Sequence, residues 1–190
     1  MPSGNDVTQS GPPPSPMISV LVVDQHLAFR DALTTRLEAE PDLTVLAKAH
    51  SAEFAATVLV GRSADVVLLE ADLPDNSAIA FCSEMMRRQD PPRIIMLSVS
   101  SEPERIVAAV RAGAAAWVRK DESVDYLLSV IRGVVRGESW LPPGELGAVL
   151  RRLIEHQDHR RDSDDLLATL TPRERDVLSL LVQFLGGLGG

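Results

Sequence analysis

Four polar residues close four short apolar runs: Asp24 follows Ile18 to Val23, Glu70 ends Val66 to Glu70, Ser98 ends Ile94 to Ser98, and Lys120 lies just past Ala116 to Val118. Two carboxylates, a hydroxyl and an ammonium make a set for handling charge. The acids can take a hard cation, and either can pair with the lysine. What such a set does depends on whether the chain brings the four run ends to one place.

The runs are rich in β-branched residues and short enough for buried strands. Between them lie segments with helical spacing. From His26 to Glu40, apolar Leu27, Phe29, Ala32, Leu33 and Leu37 alternate with charged residues until Pro41. The same alternation continues as strand Leu43 to Lys48, helix Ser51 to Val60, strand Val66 to Glu70, helix Ser77 to Gln89 and strand Ile94 to Ser98. It closes with helix Pro103 to Ala112, strand Ala116 to Val118 and helix Ser123 to Arg136. Five strands that read as continuous apolar runs, joined by helical crossovers, predict an α/β fold: a doubly wound, five-stranded parallel sheet covered on both faces. In such a sheet the functional crevice lies outside the carboxyl ends of the strands, where the four polar residues stand.

The chain has 190 residues, 45% of them hydrophobic, and a formal net charge of -8, which argues against a surface built mainly to neutralise phosphates. No apolar run reaches the ~20 residues of a membrane span, and no basic start precedes an apolar core, so a cytoplasmic protein without membrane contact is expected. Cys82 is the single cysteine and reads as an inert packing thiol. Residues 1–16, with Pro12, Pro13 and Pro14, lack periodicity and are expected to be a disordered, proline-rich head.

Five stretches taken in order resemble the receiver domains of bacterial response regulators, and more narrowly the NarL/FixJ/LuxR type. They are Val22 to Arg30, Asp65 to Pro74, Ile94 to Ser98, Arg111 to Lys120 and Tyr126 to Glu138. The resemblance implies a flavodoxin-like receiver over residues 17–139. It assigns the phosphate-accepting position to Glu70, the pocket to Asp24, Gln25, Ser98 and Lys120, and the switch aromatic to Trp117. An ordinary member of that family would phosphorylate an aspartate at position 70 with Mg²⁺ held by two acids after the first strand.

Two of those parts differ here. Position 25 is Gln, which loses a full negative charge, so Asp24 is left to hold Mg²⁺ weakly if at all and no cofactor is expected. Position 70 is Glu, whose carboxylate lies about one methylene, on the order of 1.5 Å, further from the backbone. A nucleophile displaced that far is poorly placed for in-line transfer. Three readings of Glu70 follow: a built-in phosphate mimic within range of Lys120 and Ser98, a structural ion pair with Lys120, or residual phosphorylation. Asp72, placed in the loop, is not expected to replace it as nucleophile. Trp117 is either the switch aromatic or a core aromatic.

On the last helix Leu127, Leu128, Ile131 and Val135 are candidates for contact with a second copy or a related regulator. Residues 140–168 read as a partly helical linker, in which His156 and His159 are solvated rather than metal-binding. In residues 169–190, Thr171 caps a helix, Pro172 suits its first position, and Glu174 completes a capping box with Arg173 and Arg175 alongside. This segment resembles the opening helix of the LuxR-type helix-turn-helix, and the three helices that follow in that family are not expected within these residues. DNA binding is therefore expected only of a complete form. Two function classes stand open: an atypical response regulator controlling transcription without, or with weak, aspartyl phosphorylation, and a standalone receiver-like interaction module. No glycine-rich phosphate loop, nucleophile elbow or zinc signature points to an enzyme.

Overall fold

A computed structural model describes residues 17–142, 144, 147–149 and 151. The proline-rich head, the two linker histidines and the Thr171 to Arg175 segment lie outside the described residues. Strands β1 (Ile18–Val23), β2 (Leu43–Ala49), β3 (Val66–Glu70), β4 (Arg93–Ser98) and β5 (Ala116–Arg119) alternate with helices α1 (Leu27–Glu38), α2 (Ala52–Val58), α3 (Ala78–Met85), α4 (Pro103–Arg111) and α5 (Val124–Val135). All strand pairs are parallel, in the order β2-β1-β3-β4-β5. The expected doubly wound sheet is the observed one.

Side chains alternate across each strand, so one sequence feeds two cores. Leu21, Val23, Val67, Leu69, Ile94, Met96 and Trp117 face α2, α3 and α4. Val20, Val22, Leu68, Ile95, Leu97 and Val118 face α1 and α5. Both faces of β3 are dry, which is why its run is unbroken by polar residues until Glu70. The strand order reverses at β1, and the crevice at that reversal opens between the ends of β1 and β3.

Local signals set most helix ends. Ser51 and Ser123 accept hydrogen bonds from Phe54 N and Tyr126 N as N-caps, and Pro103 opens α4. Helix α3 stops at Met85, short of the expected Gln89. Its last turn tightens, with Arg87 N and Arg88 N donating three residues back, and the Arg88 guanidinium reaches over to Leu59 O at 2.9 Å. Cys82 is buried inside α3, where burial pushes its thiol up to about 12.

The expectation for the last helix needs correction. Leu127, Leu128 and Ile131 are 6%, 3% and 0% exposed and belong to the core against α1, so they are not available as a dimer surface. A sequence pattern cannot tell the stripe that covers a sheet from one that meets a partner. Of the four candidates only Val135 is exposed. The helix is tied down by Arg132, which bonds Asp42 and Glu40 near the start of β2.

Gly113 sits after α4 at φ +98, and a Cβ there would land on the Met86 side chain. Gly113→Ala should therefore lower stability by about 1–3 kcal/mol, seen as a lower urea midpoint with an unchanged slope.

Candidate functional site

The crevice is organised around one ammonium. Lys120, in the turn that follows β5, has its backbone N–H bonded to Ser98 O at 2.7 Å, which aims its side chain back across the sheet. Its Nζ lies 2.7 Å from Asp24 Oδ2 and 2.7 Å from Glu70 Oε1. Both carboxylates are buried, and Lys120 is only 10% exposed. The Phe29 ring lies beneath the ammonium, 4.7 Å from Nζ, and shields it further.

The remaining carboxylate oxygens are held as well. Gln25 N donates to Glu70 Oε2 at 3.0 Å, and His26 N donates to Asp24 Oδ1 at 2.8 Å. His26 Nδ1 lies 3.2 Å from Asp24 Oδ1 and 3.2 Å from Glu70 Oε1. A hydrogen on that ring nitrogen would be donated to these two carboxylates. Arg30 Nη1 donates to the Asp24 carbonyl at 2.6 Å and fixes the turn from β1 into α1. Glu70 is thereby fastened from three sides.

A second network stands beside the first. Ser98 Oγ donates to Asp72 Oδ2 at 3.0 Å, and Arg105 of α4 pairs with the other Asp72 oxygen while donating to Ala71 O at 3.0 Å. Burial would raise the Asp72 carboxyl, but Arg105 and Ser98 together outweigh it and hold the group below the usual range. Ser98 is thus turned toward Asp72. Trp117 is 2% exposed, and its Nε1 donates to Ser100 O at 3.1 Å in the loop that follows β4.

The structure therefore brings Asp24, Gln25, Glu70 and Lys120 together and places Ser98 one contact away. Gln25 turns its amide nitrogen to Asp72 O at 3.0 Å. His26 and Arg105 were not singled out from sequence. The position of His26, two residues past Asp24 in the same turn, is a signal that could have found it. Arg105 arrives from a distant helix and left none.

Among the described residues one group has ligand atoms close enough for a metal: Asp24, His26 and Glu70, within 4.8 Å of one another. The Mg²⁺ that the fold implies does not fit this donor set well. The third ligand atom of the group is an imidazole nitrogen and not a hard oxygen, Gln25 brings no charge, and an ammonium already lies between the carboxylates. The arrangement pairs two buried carboxylates with one ammonium and holds Glu70 in place.

Comparison with known proteins agrees with the fold. Residues 20–132 match the response regulator receiver domain family. The DNA-binding transcriptional activator DevR/DosR of Mycobacterium tuberculosis is 30% identical over 165 residues, covering 87% of this chain and 74% of that protein. Transcriptional regulatory protein MctR of Rhizobium johnstonii is 35% identical over 171 residues, covering 88% and 74%. A LuxR family DNA-binding response regulator from Silicibacter pomeroyi superposes with a TM-score of 0.58 at 26% identity, covering 67% of this chain and 99% of that one.

The Asp72 network yields a pH dependence. A carboxyl whose folded value is depressed adds stability above its unfolded value near ~3.9, and loses it as pH falls through the depressed folded value. Between pH 7 and pH 3 the urea midpoint should thus fall less in Asp72→Asn than in the wild type.

Proposed function

The chain belongs to the response regulator receiver domain family, and from that membership we propose that it is a transcriptional response regulator whose receiver is set by Glu70 in place of a phosphorylated aspartate. The observation that carries this reading is the Lys120 ammonium, held 2.7 Å from Glu70 and 2.7 Å from Asp24. In phosphoryl chemistry a lysine and a metal neutralise the charge that the acceptor gains. Here the lysine already spends its charge on two fixed carboxylates, and Glu70 supplies one permanent negative charge instead of roughly two.

Three further observations support a pocket that does not wait for phosphate. Glu70 Oε1 and Oε2 are both engaged, which holds the carboxylate in one orientation. The Ser98 hydroxyl is held by Asp72 in the clamp with Arg105. Trp117 is already inward, with its indole N–H satisfied. The pocket therefore occupies one state, and control passes to abundance, partners or the chain beyond the receiver.

The output is proposed from the relatives. Their names describe a DNA-binding transcriptional activator and transcriptional regulatory proteins. The segment 169–190 supports the same output through its likeness to the opening of a LuxR-type helix-turn-helix, reached from the receiver of residues 17–139 through residues 140–168. A second copy of the chain, or a related regulator, is the proposed partner. The protein acts through binding and not as an enzyme.

Acetyl phosphate with Mg²⁺ should leave the intact mass of the wild-type chain unchanged. The double variant Gln25→Asp with Glu70→Asp should gain one phosphoryl group under the same conditions. Phosphorylation of the wild-type chain at Glu70 would sink the proposal.

A further inference from the structure

His26 stands outside the positions that the family resemblance assigns to the pocket, yet its ring reaches into it. Its Nδ1 lies 3.2 Å from Asp24 Oδ1 and 3.2 Å from Glu70 Oε1, and the three groups offer ligand atoms within 4.8 Å of one another. The ring is carried by the turn between β1 and α1, and its side chain is 60% exposed, whereas both carboxylates are buried. One nitrogen and two oxygens therefore converge, with a way in from solvent past the imidazole.

Their spacing discriminates between ions. In a tetrahedron with bonds of about 2.0–2.1 Å, neighbouring ligand atoms stand about 3.3 Å apart. In the octahedron that Mg²⁺ demands, bonds of similar length bring them to about 2.9 Å. The two separations of 3.2 Å lie nearer the first value. Ligand chemistry points the same way, because imidazole suits Zn²⁺ and its transition-metal neighbours, whereas Mg²⁺ favours oxygen. The nitrogen that counts against Mg²⁺ counts in favour of these ions.

The carboxylates are also braced, as the ligands of a metal need to be. Gln25 N holds Glu70 Oε2 at 3.0 Å and Lys120 Nζ holds Asp24 Oδ2 at 2.7 Å, so each group turns its other oxygen to the ring. Lys120 Nζ also lies 2.7 Å from Glu70 Oε1, and sharing that oxygen with an ammonium limits the affinity for any cation. Two carboxylates still exceed one ammonium by a formal negative charge, which a divalent ion bound through a neutral imidazole offsets.

We propose that Asp24 Oδ1, His26 Nδ1 and Glu70 Oε1 form a site for a borderline transition-metal ion such as Zn²⁺, with water in the fourth position. The ion takes the place of a hydrogen on Nδ1 and leaves Lys120 where it is. Against the family pattern, Gln25 and Glu70 thus change which metal the crevice takes, and His26 supplies the third ligand. The site needs only the held position of the Glu70 carboxylate, and not its role in setting the receiver.

The test is calorimetric titration of Zn²⁺ into the full chain carrying His50→Ala, His156→Ala and His159→Ala. These changes remove every other histidine, and the single thiol, Cys82, is buried. One ion per chain should bind at least ~tenfold more tightly than Mg²⁺, and the NMR amide signals of Gln25 and His26 should shift as it does. Adding His26→Ala should weaken Zn²⁺ binding by about tenfold or more. The amide shifts locate the ion with His26 intact, which covers failure of that variant to fold. Absence of Zn²⁺ binding, Mg²⁺ binding within about tenfold of it, or Zn²⁺ binding that leaves both amides and the His26→Ala comparison unmoved overturns the site. The acetyl phosphate experiment reads phosphoryl mass and not metal, so the two proposals fail separately.

Discussion

One ammonium between two buried carboxylates is the constraint on which the rest of this crevice depends. An unpaired carboxylate at the end of a dry strand would cost several kcal/mol in desolvation. Asp24 and Glu70 stand side by side there, so each also raises the cost of the other. Lys120 resolves both problems at once. The gain is mainly in geometry, since a buried ion pair offsets its own desolvation more than it adds stability. Once the ammonium is fixed, Glu70 is held, and the Gln25 amide and the His26 ring close over it.

The sheet makes this arrangement possible. Parallel strands end on the same side, and the order reversal at β1 leaves a gap between the ends of β1 and β3, into which Asp24 and Glu70 project. Lys120 reaches them from the end of β5, across β4, because its own amide is tied to Ser98 O. The second network, from Ser98 through Asp72 to Arg105, ties the loops after β3 and β4 to α4. Trp117 lies beneath the loop after β4 and is bonded along its backbone to Trp140. Pocket, β5 and departing chain thus form one continuous set of contacts.

Much of this was legible in the amino-acid order. The strands announced themselves because a strand buried on both faces must be apolar throughout, and their ends pointed to Asp24, Glu70, Ser98 and Lys120. Legibility failed where a distant residue decided the outcome. Ser98 turns to Asp72 because Arg105, from another helix, holds that loop. Helix α3 ends early, and Arg88 beyond it bonds the carbonyl of Leu59, just past α2. Leu127, Leu128 and Ile131 could be assigned to a partner or to the sheet only after α1 was in place. The bridge from Trp140 to Ala116 was invisible because Trp140 and Leu141 are too short a run to show alternation, and a linker reading of the residues after Ser139 was the natural one.

The central claim is that Lys120 and Glu70 act as one unit, and a double-mutant cycle measures that unit most directly. Urea unfolding of the wild type, Lys120→Met, Glu70→Gln and the double variant would give the coupling between them. The pairing described here predicts a non-additive term of about 1–3 kcal/mol in favour of the native pair. Additivity to within about 0.5 kcal/mol would contradict it, because two residues that behave independently cannot be holding each other in place.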